Sequence, residues 1–167
     1  MDTKLFSLYS RAYAILGNIT PISADCGELC GAKCCAGDEN SGMILFPGEK
    51  DFLSRADFLE VKERDMNGFP VDFAICKGSC SRRFRPLSCR IFPLAPFCDG
   101  ETLEILPDPR AKYICPLLKA ADLISPEFSQ AVEEAFQILI GHPDISQMLV
   151  HYSNMLREYM RFIDKNL

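Results

Sequence analysis

The chain has 167 residues and a formal net charge of −5, with an ordinary share of apolar side chains. That length fits one domain and supports a hydrophobic core without covalent staples. The acidic balance offers no global attraction to nucleic acid or to acidic lipid, so neither is an expected partner.

Taken in chain order, residues 3–16 place Leu5, Leu8, Tyr9, Ala12, Tyr13 and Leu16 at helical spacing. This predicts a core-packing N-terminal helix, with Pro21 as its stop and residues 1–22 as the N-terminal part. Residues 23–118 are irregular and carry every cysteine. Within them, 43–46 reads as a short strand, and Pro47 stands near the first turn of a short helix. Residues 58–62 and 71–75 read as strands around an Asn67-Gly68 turn. Another strand is expected over 102–106, after Asp99-Gly100. Residues 119–167 are helical. Ser125-Pro126-Glu127 is a start signal, with Ser as N-cap and Pro at the first helical position. Phe128, Val132, Ala135, Phe136 and Leu139 share one face, and Gly141 stops that helix. Pro143-Asp144 starts a second helix, striped by Ile145, Met148, Leu149, Tyr152, Met155, Leu156, Tyr159 and Ile163. Two antiparallel helices joined by a Gly-His-Pro turn are expected, and their stripe suits the core or a homodimer or protein-partner surface. The expected fold is a single α+β domain, mainly α. An irregular cysteine-rich metal-binding core with short strands lies between the N-terminal helix and the C-terminal helical hairpin.

The N-terminus has no continuous apolar run of the kind found in a signal peptide, since Ser10 and Arg11 interrupt it. No segment approaches the roughly 20 apolar residues of a membrane span. A cytoplasmic location is expected, where thiols stay reduced and dense cysteine reads as metal-binding or catalytic.

Eight of the nine cysteines form two clusters. The first is Cys26, Cys30, Cys34 and Cys35. The second is Cys76, Cys80, Cys89 and Cys98, and Cys115 follows alone before Pro116. On a straight helix Cys26 and Cys34 would lie about 12 Å apart along the axis. Sulfurs sharing one zinc, at Zn–S near 2.3 Å, sit only about 4 Å apart. Gly27 and Gly31 each follow a cysteine and disfavour helix. The first cluster is therefore read as a wrapping loop with backbone N–H groups turned toward the sulfurs. Adjacent Cys34 and Cys35 point to opposite sides in extended backbone. The doublet and the count together suggest more than one metal ion or a multinuclear cluster.

Lys77, Arg82, Arg83, Arg85 and Arg90 surround Cys80 and Cys89. Guanidinium groups there compensate the charge of about −2 on a four-thiolate zinc site, or else form a solvated or anion-binding patch. Asp25, Glu28, Asp38, Glu39 and Asp99 lie near cysteines and read mainly as solvated loop carboxylates. His142, at its turn, reads as a capping residue rather than a ligand.

The motifs Cys-Gly-Ala-Lys-Cys-Cys (30–35) and Arg-Pro-Leu-Ser-Cys-Arg-Ile-Phe-Pro (85–93) resemble the cysteine-cluster family described as a zinc- or iron-chelating domain, often labelled iron–sulfur proteins. The resemblance covers residues 26 to 98. It implies Cys30, Cys34, Cys35, Cys80 and Cys89 as ligands, with Cys26 upstream; Cys76, Cys98 and Cys115 join them on density alone. Lys33 looks like an insertion before the doublet, and the loop from Cys80 to Pro86 is a residue shorter than usual. The implied cofactor is zinc, with iron or a [4Fe-4S] cluster as the alternative. The expected function is metal chelation with a structural or carrier role. An oxidoreductase using an iron–sulfur cluster, or an interaction module with a metal-stapled fold, are the alternatives. No Ser/His/Asp set, HExxH, P-loop or Rossmann fingerprint points to an enzyme.

Overall fold

A computed structural model describes residues 2–35, 41–77 and 80–166. The first helix, α1, spans Thr3–Leu16, and Asp2 caps it by accepting from the Lys4 N–H at 3.0 Å. The expected stripe faces inward: Leu5, Tyr9, Ala12, Tyr13 and Leu16 are buried. The helix stops at Gly17, not at Pro21. Gly17 takes a φ of 38° and its N–H closes on the Tyr13 carbonyl, a conformation that costs glycine little.

Three antiparallel strands follow in the order β1-β3-β2: β1 over Met43–Leu45, β2 over Leu59–Met66 and β3 over Phe69–Cys76. Asn67 and Gly68 both have positive φ, at 53° and 84°, which gives the hairpin turn the sign that matches strand twist. β2 runs four residues past its predicted end because Glu63, Arg64 and Asp65 sit on a solvent-facing ladder where apolar alternation fails. Between β1 and β2 lies α3, Glu49–Phe52, capped by Gly48, so Pro47 precedes the helix rather than opening it.

A second sheet pairs β4, Leu94–Cys98, with β5, Leu103–Pro107. β5 matches the expected strand. Pro93 and Pro96 hid β4 in the sequence. A two-stranded sheet leaves each strand one unpaired edge, where proline's missing donor costs no ladder bond. Every residue of β4 is buried.

The C-terminal helices are α5, Pro126–Leu139, and α6, Pro143–Asn166. Ser125 Oγ accepts from the Phe128 N–H at 3.1 Å, as an N-cap should. The two helices lean on different neighbours: α5 packs chiefly on α1, and α6 on β4. Among the described residues, no helix is long and apolar enough to cross a membrane.

The fold is α+β and mainly α. Its buried cluster draws on α1, β1, β4, α5 and α6, with Phe46 edge-on to Phe136 and Tyr152 at 5.3 and 6.0 Å. Cysteine contributes little to that interior, since Cys98 is the one fully buried thiol.

Candidate metal centre

The first cysteine cluster is not a loop throughout. Cys26–Cys30 forms a single helical turn, α2, with Asp25 as N-cap accepting from the Gly27 N–H at 2.9 Å. A good cap stabilises by about 1 kcal/mol, which offsets the similar cost of Gly27 inside the turn. Gly31 and Ala32 then take positive φ, 63° and 53°, and reverse the chain into a 3-10 turn over Lys33–Cys35. The reversal brings Cys34 back beside Cys26 and Cys30, which a straight helix would not do. The expected free N–H groups are engaged: Ala32 donates to the Gly27 carbonyl at 2.8 Å and Cys35 to the Ala32 carbonyl at 2.7 Å.

The doublet also differs from the extended geometry expected of it. The tight 3-10 turn holds the Cys34 and Cys35 thiols close enough to interact. The neighbouring thiol raises Cys34, and partial loss of solvation adds to it. The same interaction lowers Cys35 to about 6, with the Arg85 guanidinium assisting. Both residues are exposed.

Cys89, from the second cluster, shares with the first cluster the lining of a cavity of about 50 Å³. Asp25, Cys26, Cys30, Cys34, Arg82, Arg85, Cys89 and Cys115 line it. Cys89 sits on α4, Leu87–Arg90, and burial pushes its thiol up to about 12. Burial also raises Cys26, with the Asp25 carboxylate and Cys115 adding to it. Cys80 is outside the lining but touches one lining residue: the Arg85 Nε donates to its sulfur at 3.2 Å.

In the sequence, only cysteine density points to Cys115. It occupies the N-cap of a 3-10 turn over Pro116–Lys119. Burial raises its thiol, while the N–H groups of Leu117 and Leu118 favour the thiolate. The Leu118 N–H donates to the Cys115 carbonyl at 3.3 Å, and the turn has no side-chain cap hydrogen bond. The Cys-Pro dipeptide was the signal for the turn itself.

Cys76 and Cys98 are not brought to this cavity. Cys76 ends β3 opposite Leu59. Cys98 is buried in β4, where its N–H donates to Ser153 Oγ at 2.7 Å and the Gly100 N–H approaches its sulfur at 3.4 Å. Both histidines lie elsewhere. His142 Nε2 faces Asp2 at 3.6 Å, and His151 stacks on Phe69 at 4.3 Å. Asp99 caps its own turn through the Thr102 and Glu101 N–H groups, which lower it to about 2. Asp38 and Glu39 lie outside the described residues.

Of the expected basic group, Arg82 and Arg85 face the cavity, Arg83 covers Phe84, and Arg90 turns inward. Two residues that no motif marked organise this wall from behind. Glu49, fully buried, accepts from Tyr13 Oη at 2.7 Å, the Leu87 N–H at 2.7 Å and the Phe46 N–H at 3.0 Å. Tyr13 also carries the Arg90 guanidinium over its ring at 4.7 Å.

The donor set is sulfur, which suits zinc, iron or an iron–sulfur cluster. Among the described residues, no group of three or more His, Cys, Asp or Glu side chains is already arranged to hold one ion. Compared with family models, with curated proteins and with solved structures, the chain finds no match.

Proposed function

We propose that this protein binds a thiophilic metal, zinc or iron, through cysteine thiolates gathered at the cavity. One observation carries the reading: cysteines from three separate stretches of chain face a single cavity that two guanidinium groups also line. Cys26, Cys30, Cys34, Cys89 and Cys115 are the ligand candidates, with Cys35 and Cys80 outside the lining. Cys98 is assigned to the core. Arg82 and Arg85 balance the negative charge that ionised thiols bring to the cavity. The bound metal supplies a crosslink between segments; the thiols hold it, and the arginines keep the charge tolerable. The resemblance of 30–35 and 85–93 to a chelating domain agrees with this set. A thiol-reducing compartment such as the cytoplasm suits it.

The test is metal and acid-labile sulfide analysis of protein isolated without oxygen. Zinc in colourless protein supports mononuclear thiolate sites, and iron with matching sulfide supports a cluster. Protein that holds neither, and takes up neither when reduced and reloaded, contradicts the reading.

A further inference from the structure

We propose that Arg90 is the positioning residue of the cysteine cavity, tying the segment leading to Cys26 to the turn and helix that carry Cys89. This rests on the reading of the cavity as a metal centre. Arg90 is only 7% exposed, although it lies within a basic stretch that reads as surface. Its Nε donates to the Arg85 carbonyl at 3.0 Å, and one terminal nitrogen donates to the Arg82 and Arg83 carbonyls at 2.6 and 3.1 Å. The other terminal nitrogen donates to the Gly17 carbonyl at 2.8 Å.

Four of the contacts a guanidinium can make thus end on backbone oxygens, three of them in one turn. Residues 82–85 have no strand ladder to hold them, only a 3-10 turn. Arg90 donates to the Arg83 and Arg85 carbonyls and adds a second donor to the Arg82 carbonyl, which also accepts from the Arg85 N–H at 3.2 Å. Gly17 is where α1 ends and the chain leaves toward Cys26. Arg82 reinforces the tie by donating to the Ile19 carbonyl. The guanidinium itself is fixed by the Tyr13 ring, and Tyr13 is fixed by Glu49, which also receives the Leu87 N–H of α4. The chain of contacts is closed, and it joins the segment leading to Cys26 to the turn and helix that carry Cys89. An ammonium group, a compact point charge, does not span these carbonyls as a planar fork does.

The test uses Arg90→Lys, Arg90→Gln and, as a control at an exposed neighbour, Arg83→Gln, all as full-length protein. Two readouts are taken. In reduced, metal-free protein, iodoacetamide labelling of each cysteine is followed by mass spectrometry. Both Arg90 variants are expected to label Cys80 and Cys89 several-fold faster than wild type, with buried Cys98 unchanged. In cobalt(II) titration, both are expected to bind about 10-fold or more weakly, the usual cost of removing a group that orients ligands, with no rescue by lysine. Arg83→Gln should match wild type in both. Wild-type labelling and cobalt affinity in both Arg90 variants would overturn the proposal. So would Cys98 labelling that accelerates in step with Cys80 and Cys89, because Arg90 would then be supporting the core in general. Should wild type take up no cobalt, the metal reading fails, while the labelling pattern still decides whether Arg90 orders the turn.

Discussion

The Arg85 Nε donates to the Cys80 sulfur across 3.2 Å, and Arg85 also lines the cavity. One side chain therefore serves a thiol and the charge balance of the whole site. The contact with Cys80, together with the fields of Cys80 and Cys35, raises Arg85 against the opposing effect of burial. Arg85→Gln keeps a donor near the position of Nε but removes the charge and the outer guanidinium nitrogens. Metal affinity is expected to fall by about 10- to 100-fold, as for other groups next to ligands, with little loss of fold. Competition titration against a chromophoric chelator checks this, and unchanged affinity would remove Arg85 from the site.

Cys98 and Cys89 should separate cleanly. Cys98 is fully buried in β4 beside Ser153, while Cys89 faces the cavity. Cys98→Ala is expected to cost about 1–2 kcal/mol of stability, in the usual range for a buried truncation, and to leave metal content intact. Cys89→Ala should do the reverse. Urea denaturation and metal analysis on both variants decide it.

Glu49 gives the fold a pH dependence of defined sign. Burial pushes its carboxyl above the ordinary range, resisted by the Leu87 and Phe46 N–H groups, the Tyr13 hydroxyl and Arg90. The folded state holds the proton more tightly than the unfolded chain, whose Glu value is about 4.3. This contribution is full below that value and is lost as pH rises through the folded one. Glu49→Gln should remove the slope. It also leaves the Phe46 N–H facing an amide NH₂, at a cost of about 1–3 kcal/mol. The stability advantage of wild type over this variant should therefore shrink from mildly acidic pH toward neutrality. An advantage that grows over that interval would contradict the assignment.

Gly42 allows the close packing that begins β1. A Cβ there would lie 2.3 Å from the Ala74 carbonyl oxygen and 2.6 Å from the Phe73 ring. Gly42→Ala must shift backbone, and overpacking of this kind costs about 1–3 kcal/mol. A lowered melting temperature is expected, and an unchanged one would mean that the β1–β3 register adapts freely.

Helices and hairpin were legible because their signals are local. The α1 and α5 stripes, the Ser125 cap and the Asn67-Gly68 turn each act within a few residues. β4 was not, because its burial comes from α6, far along the chain, and its prolines argue against a strand. The first cluster was half legible. Gly31 does turn the chain, but the Asp25 cap outweighs Gly27 and keeps one helical turn. Glu49 was illegible, and Arg90, though inside the 85–93 motif, was legible only as positive charge near the cysteines and not as a buried tie. Their partners are mostly backbone carbonyl and N–H groups, which leave no trace in side-chain identity. Tyr13 joins them from α1, where its spacing shows only that it faces inward.

The most direct measurement is the metal content of oxygen-free preparations of wild type, Cys89→Ser, Cys115→Ser and Cys98→Ser, each checked for folding by circular dichroism. Wild type and Cys98→Ser are predicted to carry zinc or iron. Cys89→Ser and Cys115→Ser should lose most of it while α1, α5 and α6 remain folded, since that interior packs without the cavity. Metal-free wild type that stays metal-free on reduction and reloading, or equal retention by all four proteins, would contradict a metal centre at this cavity.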